Sequence, residues 1–190
     1  MTSRRDAVRT LGSIAALPFF GASGVEELVE IGRRAHSLAE LRQSDPPRAL
    51  TSAEYEIVSQ AAERIIPRTN TPGATDARVA DFIDVMLADW YSASGRERFK
   101  AGLSDLDGRA RTLAGRGFAQ TSERQQIELL ETLDRELDLR RQSGVTGADD
   151  HWFAMLKHLT IWGYYTSRQG IVEELRVDVL PGRYDGNAPY

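Results

Sequence analysis

The side chains with the chemistry for catalysis or metal binding are few. The histidines are His36, His151 and His158. On a helix the last two would share one face two turns apart, whereas helical metal pairs favour a one-turn spacing such as H-E-x-x-H. A metal-dependent enzyme using His151, His158 and Asp149 or Asp150 is therefore one reading. The plainer one has packed or solvated histidines, with Asp149 and Asp150 at the cap and first turn of the last helix, where the helix dipole favours negative charge. Ser92, Ser94 and Gly95 read as a turn, because a nucleophile elbow needs G-x-S-x-G between strand and helix. No Walker loop and no dinucleotide fingerprint occurs. Cysteine is absent, which removes disulfides, thiolate nucleophiles, thiolate metal ligands and thioether-linked haem. A net charge of −4 and scattered basic residues argue against a nucleic-acid-binding face.

The elements that must carry these residues read as helices. At 190 residues, 41% hydrophobic and 27% charged, the composition is that of a globular domain. Val25, Leu28, Val29, Ala35, Leu38 and Leu41 recur at helical steps, predicting one amphipathic helix over 25–41. Thr51 with Glu54 forms a capping-box pattern, and Leu50 with Tyr55 sits at hydrophobic-staple spacing. The helix they open has Val58, Ala61, Ala62, Ile65 and Ile66 as its inner face, and Pro67 stops it. Further stripes are Val79, Phe82, Ile83, Met86, Leu87 and Trp90, then Phe99, Leu103, Leu106, Ala110 and Leu113, which ends near Gly115. Ser122 and Gln125 repeat the capping box before Ile127, Leu130, Leu133 and Leu137. The last long helix covers about 150–163. Alternation of Leu175, Val177 and Val179 allows a strand over 174–180. The expected fold is all-α: an irregular helical bundle over 24–190 with an extended C-terminal tail.

Two segments lack a packing explanation. One is 65–74, Ile65-Ile66-Pro67-Arg68-Thr69-Asn70-Thr71-Pro72-Gly73-Ala74, a loop (67–73 at its centre) that two prolines stiffen; as a plain helix connector it would carry the same turn residues. The other is Trp162-Gly163-Tyr164-Tyr165-Thr166-Ser167-Arg168. Consecutive helical residues point about 100° apart, so these aromatics cannot all face one side. A partner surface is one destination, since Trp, Tyr and Arg dominate protein interfaces; closing the bundle's own core is the other. If the interface reading holds, Tyr164→Ala with Tyr165→Ala leaves the melting temperature of the isolated chain nearly unchanged.

The N-terminus has the order of an export signal. Arg4 and Arg5 precede the apolar stretch 11–22, and the pair resembles a twin-arginine signal, so residues 1–23 are set apart from the fold. The stretch is shorter than the roughly 20 residues that span a bilayer.

The stretches AERIIPRTNTPGATDARVADFID and LKHLTIWGYYTSRQGIVEELRVDVLPGRYDG resemble the gluconate 2-dehydrogenase small-subunit family, also described as the gamma subunit of FAD-dependent sugar dehydrogenases. The paired landmarks I-I-P-x-T-x-T-P-G-A and G-Y-Y-T-S carry the likeness, which spans about 50–187. It implies a non-catalytic subunit with no cofactor or metal of its own. The implied partner is a large flavoprotein of the glucose-methanol-choline type, which holds the FAD, with a cytochrome subunit carrying haem c as a further one. The twin-arginine leader would escort the folded pair to the periplasm, with membrane association at most indirect or through an uncleaved leader. Pro67, Arg68, Thr69, Pro72 and Gly73, together with Trp162, Tyr164, Tyr165, Thr166, Ser167 and Arg168, would form the surface that packs on the flavoprotein. A periplasmic binding or scaffold protein without a redox partner is the remaining alternative.

Overall fold

The computed structural model describes residues 25–42, 45–144 and 151–175. Arg4, Arg5 and the 1–23 leader, Asp149 and Asp150, and the tail from 176 onward lie outside them. The described residues form helices α1 (Val25–Leu41), α2 (Ser52–Ile65), α3 (Val79–Asp89), α4 (Ala93–Ala114), α5 (Glu123–Gln142) and α6 (Trp152–Tyr165). A 3-10 turn, Phe118–Gln120, precedes α5, and a π-helix, Gln169–Glu174, follows α6. No strand occurs among the described residues, and the fold is all-α. No helix among them is long and apolar enough to cross a membrane.

Local chemistry sets the helix ends. Thr51 caps α2 and Glu54 reciprocates, its carboxylate accepting from Thr51 N at 2.7 Å. Ser122 and Gln125 do the same for α5. Ile66, ahead of Pro67, leaves the helical region with φ −126°. Ser92 caps α4 by accepting from Gly95 N, and Gly115, at φ 70°, closes it in the left-handed conformation that glycine adopts without steric cost. The last long helix begins two residues later than the charge pattern suggests: His151 is its N-cap, accepting from Phe153 N at 3.3 Å. At the other end, Glu174 is π-helical and Leu175, at φ −75° and ψ −17°, continues in helical geometry, so the predicted strand does not begin there.

Helix α6 is the centre of the bundle. It contacts α1, α2, α3, α4, α5 and the π-helix, and from Trp152 to Tyr165 only Lys157 and His158 are not buried. A helix apolar on all sides is a core helix, and the other helices each turn one apolar stripe towards it. Those stripes match the sequence periodicity, with exceptions at the rim. Val29 is 55% exposed, Leu41 83% and Leu113 46%, so these three point to solvent.

Two glycines let elements close on one another. A Cβ on Gly102 of α4 would lie 2.0 Å from the Trp152 ring. One on Gly163 of α6 would lie 2.6 Å from Phe82. Phe82 in turn meets Trp162 edge-on at 5.6 Å between ring centres and His36 at 4.8 Å.

Candidate partner interface

The two segments that lack a packing explanation in the sequence meet in the structure. The hydroxyl of Tyr164, at the end of α6, lies 2.7 Å from the carbonyl oxygen of Pro72. It lies equally close, 2.7 Å, to Glu174 Oε2 on the π-helix. The same carboxylate accepts from Tyr165 OH at 3.2 Å and from Thr71 Oγ1 at 3.3 Å. Three hydroxyls from two distant segments therefore converge on Glu174, and the Tyr164 and Tyr165 rings stand edge to face at 5.2 Å.

The loop itself is held by carboxylates. Glu63, in the last turn of α2, accepts from Arg68 N and Thr75 N, both at 2.9 Å. Asp76 accepts from Gly73 N and Arg68 Nε, both at 2.8 Å, and its other oxygen pairs with the Arg68 guanidinium. Ala74 N donates to Ile66 O, closing the loop at its base. The loop folds so tightly at Gly73 that an added Cβ would lie 2.4 Å from Glu63 Oε1 and 2.6 Å from Arg68 N. Pro67, Arg68, Thr69 and Asn70 are exposed, Thr71 and Pro72 half-buried, and Gly73 buried.

The turn after α6 is stitched by its own hydroxyls. Thr166 Oγ1 donates to Trp162 O at 2.6 Å, which leaves it as the acceptor for His36 Nε2 at 3.1 Å. Ser167 Oγ donates to Tyr164 O at 2.6 Å and accepts from Gly170 N at 3.1 Å. A Cβ on Gly170 would lie 2.2 Å from Tyr164 O, so the π-helix can abut α6 only with glycine there. The π-bond itself runs from Leu175 N to Gly170 O at 3.0 Å.

This packing corrects the expectation that the aromatic run forms partner-facing surface. Trp162 is 3% exposed, Tyr164 0%, Tyr165 7% and Ser167 3%, and Thr166 is half-buried. Consecutive residues of α6 do point in different directions, but the bundle surrounds this helix, so each direction meets another element of the same chain. Of that run, Arg168 alone is exposed. Beyond it, Val172 (48% exposed) on the π-helix and Leu175 (43%) at its C-cap present apolar surface.

Of the residues singled out for chemistry, Ser92, His36 and His151 are engaged in structural contacts. Burial lowers the pKa of His36, partly offset by a hydrogen bond to the Gly163 backbone and by Glu40. His151 serves as a helix cap, and burial, then Arg140, lowers its pKa against the opposing pull of Glu136. His158 is half-buried. Among the described residues no group of three or more His, Cys, Asp or Glu side chains is placed to hold a metal ion. A cleft of about 380 Å³ opens beside Tyr55, whose hydroxyl donates to Asp81 at 2.9 Å. Burial, then the Asp81 charge, raises the Tyr55 pKa.

Sequence reasoning missed Glu63, Asp76 and Glu174, the carboxylates that shape the candidate surface. Glu63 carries the only local signal: a negative charge in the last turn of a helix opposes the helix dipole and needs another reason to be there.

The family model described as Gluconate 2-dehydrogenase subunit 3 matches residues 52–182. The chain belongs to that family, whose description is that of one subunit of a multi-subunit gluconate dehydrogenase complex. No curated protein and no solved structure matches the chain. The matched range takes in both segments that meet at Glu174 and leaves α1 outside.

Proposed function

We propose that, as a member of this family, the chain is a non-catalytic accessory subunit that binds a large FAD-containing dehydrogenase of the glucose-methanol-choline type, stabilises it and escorts it through twin-arginine export. The carrying observation is the junction of the 67–73 loop with the end of α6 through Tyr164 and Glu174. It gives a surface stiffened by backbone-to-carboxylate bonds. A rigid surface loses little conformational entropy on binding, which favours stable association.

The contact surface comprises the exposed part of the loop, Pro67, Arg68, Thr69 and the rim of Pro72, with Arg168 beside the π-helix. Gly73, Trp162, Tyr164, Tyr165, Thr166 and Ser167 act from behind it as its support. FAD belongs to the partner, and a haem c subunit completes electron transfer to an acceptor. The mature complex lies in the periplasm, associated with the inner membrane through the other subunits or through an uncleaved leader.

Export supplies the test. Replacing Arg4 and Arg5 together by Lys should strand both this chain and the flavoprotein in the cytoplasm, as seen by fractionation and flavin absorbance. Export of the flavoprotein without this chain would contradict the escort role.

A further inference from the structure

We propose that Glu174 is the positioning residue of the partner surface: it holds the π-helix against the 67–73 loop, so that Arg68 and Thr69 on one side and Val172 and Leu175 on the other meet the flavoprotein as one rigid patch. This rests on the accessory-subunit reading and assigns the part that a single side chain plays in it.

The observations are geometric. One carboxylate takes Tyr164 OH at 2.7 Å, Tyr165 OH at 3.2 Å and Thr71 Oγ1 at 3.3 Å. Thr71 belongs to the loop, the tyrosines to α6, and Glu174 to the π-helix, so the side chain is the junction of three elements. The π-helix is also tied to the end of α6 by Gly170 N to the Ser167 hydroxyl and by Ile171 N to Ser167 O, both at the π-helix's own start, whereas Glu174 ties its far end. π-Turns are rare and concentrate at functional sites, because an α-helix would cost less. Here the wide turn from Gly170 O to Leu175 N brings Glu174 back over α6 while Val172, Glu173 and Leu175 face outward. Such an arrangement places a part-buried hydrogen-bond network directly behind exposed apolar groups.

The test uses Glu174→Ala and Glu174→Gln in the full chain, with the flavin-containing protein that accompanies the wild type as the probe. Amide exchange in the isolated chain should speed up by about tenfold at Thr69, Ile171 and Leu175 in Glu174→Ala, with α3 and α6 unchanged. Affinity for the flavoprotein should fall by about tenfold or more, and Glu174→Gln, which keeps one acceptor, should fall between. Thr71→Val combined with Glu174→Ala should weaken binding by less than the product of the single losses, because both remove the same tie. Unchanged exchange at those three amides, or exchange that rises uniformly across the bundle, would overturn the positioning role. If the wild type itself retains no flavoprotein, the accessory-subunit reading fails, and the exchange pattern alone decides whether Glu174 aligns the two segments.

Discussion

The hydroxyl of Tyr164 lies 2.7 Å from the Pro72 carbonyl and shares its one proton between that oxygen and Glu174 Oε2, tying the end of the central helix to a loop that lies far away in sequence. Because the ring is fully buried, this contact joins core and candidate surface in one residue. Tyr164→Phe keeps the ring and removes the proton, and should cost about 1–2 kcal/mol in urea denaturation. Tyr164→Ala also empties the ring's volume and should cost about 3–5 kcal/mol. Of the two outcomes that the sequence leaves open for truncating Tyr164 and Tyr165, the burial of both rings favours the loss of melting temperature that goes with a place in the core.

Gly163 faces Phe82, which is held between His36 and Trp162. Gly163→Ala places a methyl group within 2.6 Å of a ring that has nowhere to move. The expected cost is about 1–3 kcal/mol, the usual penalty of overpacking. Adding Phe82→Leu should recover part of it, so the double variant is more stable than the sum of the single losses predicts, and a thermal melt of the four proteins reads this directly.

Asp84 is 5% exposed, and its carboxylate accepts from Arg48 N at 2.8 Å, Ala49 N at 2.9 Å and Leu50 N at 3.0 Å. It therefore anchors the chain just ahead of α2. Asp84→Ala leaves three backbone donors without their acceptor and should destabilise the fold by about 3 kcal/mol. Asp84→Asn keeps one oxygen and should cost less. Equal stability of Asp84→Ala and wild type in denaturant would show that water replaces the carboxylate freely.

Burial holds the His36 pKa below its ordinary 6.5. The unfolded chain then binds more protons than the folded one between the two values, so stability rises with pH in that window. The contribution is complete above about 6.5 and is lost as pH falls through that value towards the folded pKa. His36→Gln should flatten the dependence of unfolding free energy on pH by at most one proton over the same window. His151 shifts the same way and will leave a residual slope. A wild-type stability that increases on acidification from neutral pH would oppose this account.

Much of the fold is legible in the sequence because its signals are local. The capping boxes at Thr51 and Ser122 and the stop at Pro67 depend on neighbours within a few positions, and each falls where expected. Periodicity likewise finds the inward faces of α2, α3 and α4. What the sequence hides is α6. Trp162, Tyr164 and Tyr165 look like excess apolar surface only if one face of their helix is assumed to be open, and a helix enclosed by five others has none. The junction at Glu174 is hidden for a related reason: its partners, Thr71 and Tyr164, are set by the packing of distant elements, and no spacing along the chain announces them. The stretches that carry the family resemblance, I-I-P-x-T-x-T-P-G-A and G-Y-Y-T-S, nevertheless contain Thr71 and Pro72 on one side of that junction and Tyr164 and Tyr165 on the other, although only part of each faces outward.

The exposed face of the loop can be separated from its support. Arg68→Glu reverses a charge that is 69% exposed, and also removes the pair with Asp76. A surface ion pair of this kind is worth about 1 kcal/mol or less, so melting should change little while recovery of the flavoprotein drops. Unimpaired recovery in Arg68→Glu and in an Arg168→Glu companion would move the interface elsewhere on the molecule.

The central claim is that this chain works as one subunit of a flavoprotein complex. Purifying the tagged wild type from the cell envelope fraction, then recording its absorption spectrum and identifying what accompanies it by mass spectrometry, tests that most directly. The account predicts a flavin spectrum and a large flavoprotein in stoichiometric amount; a colourless chain recovered alone would contradict it.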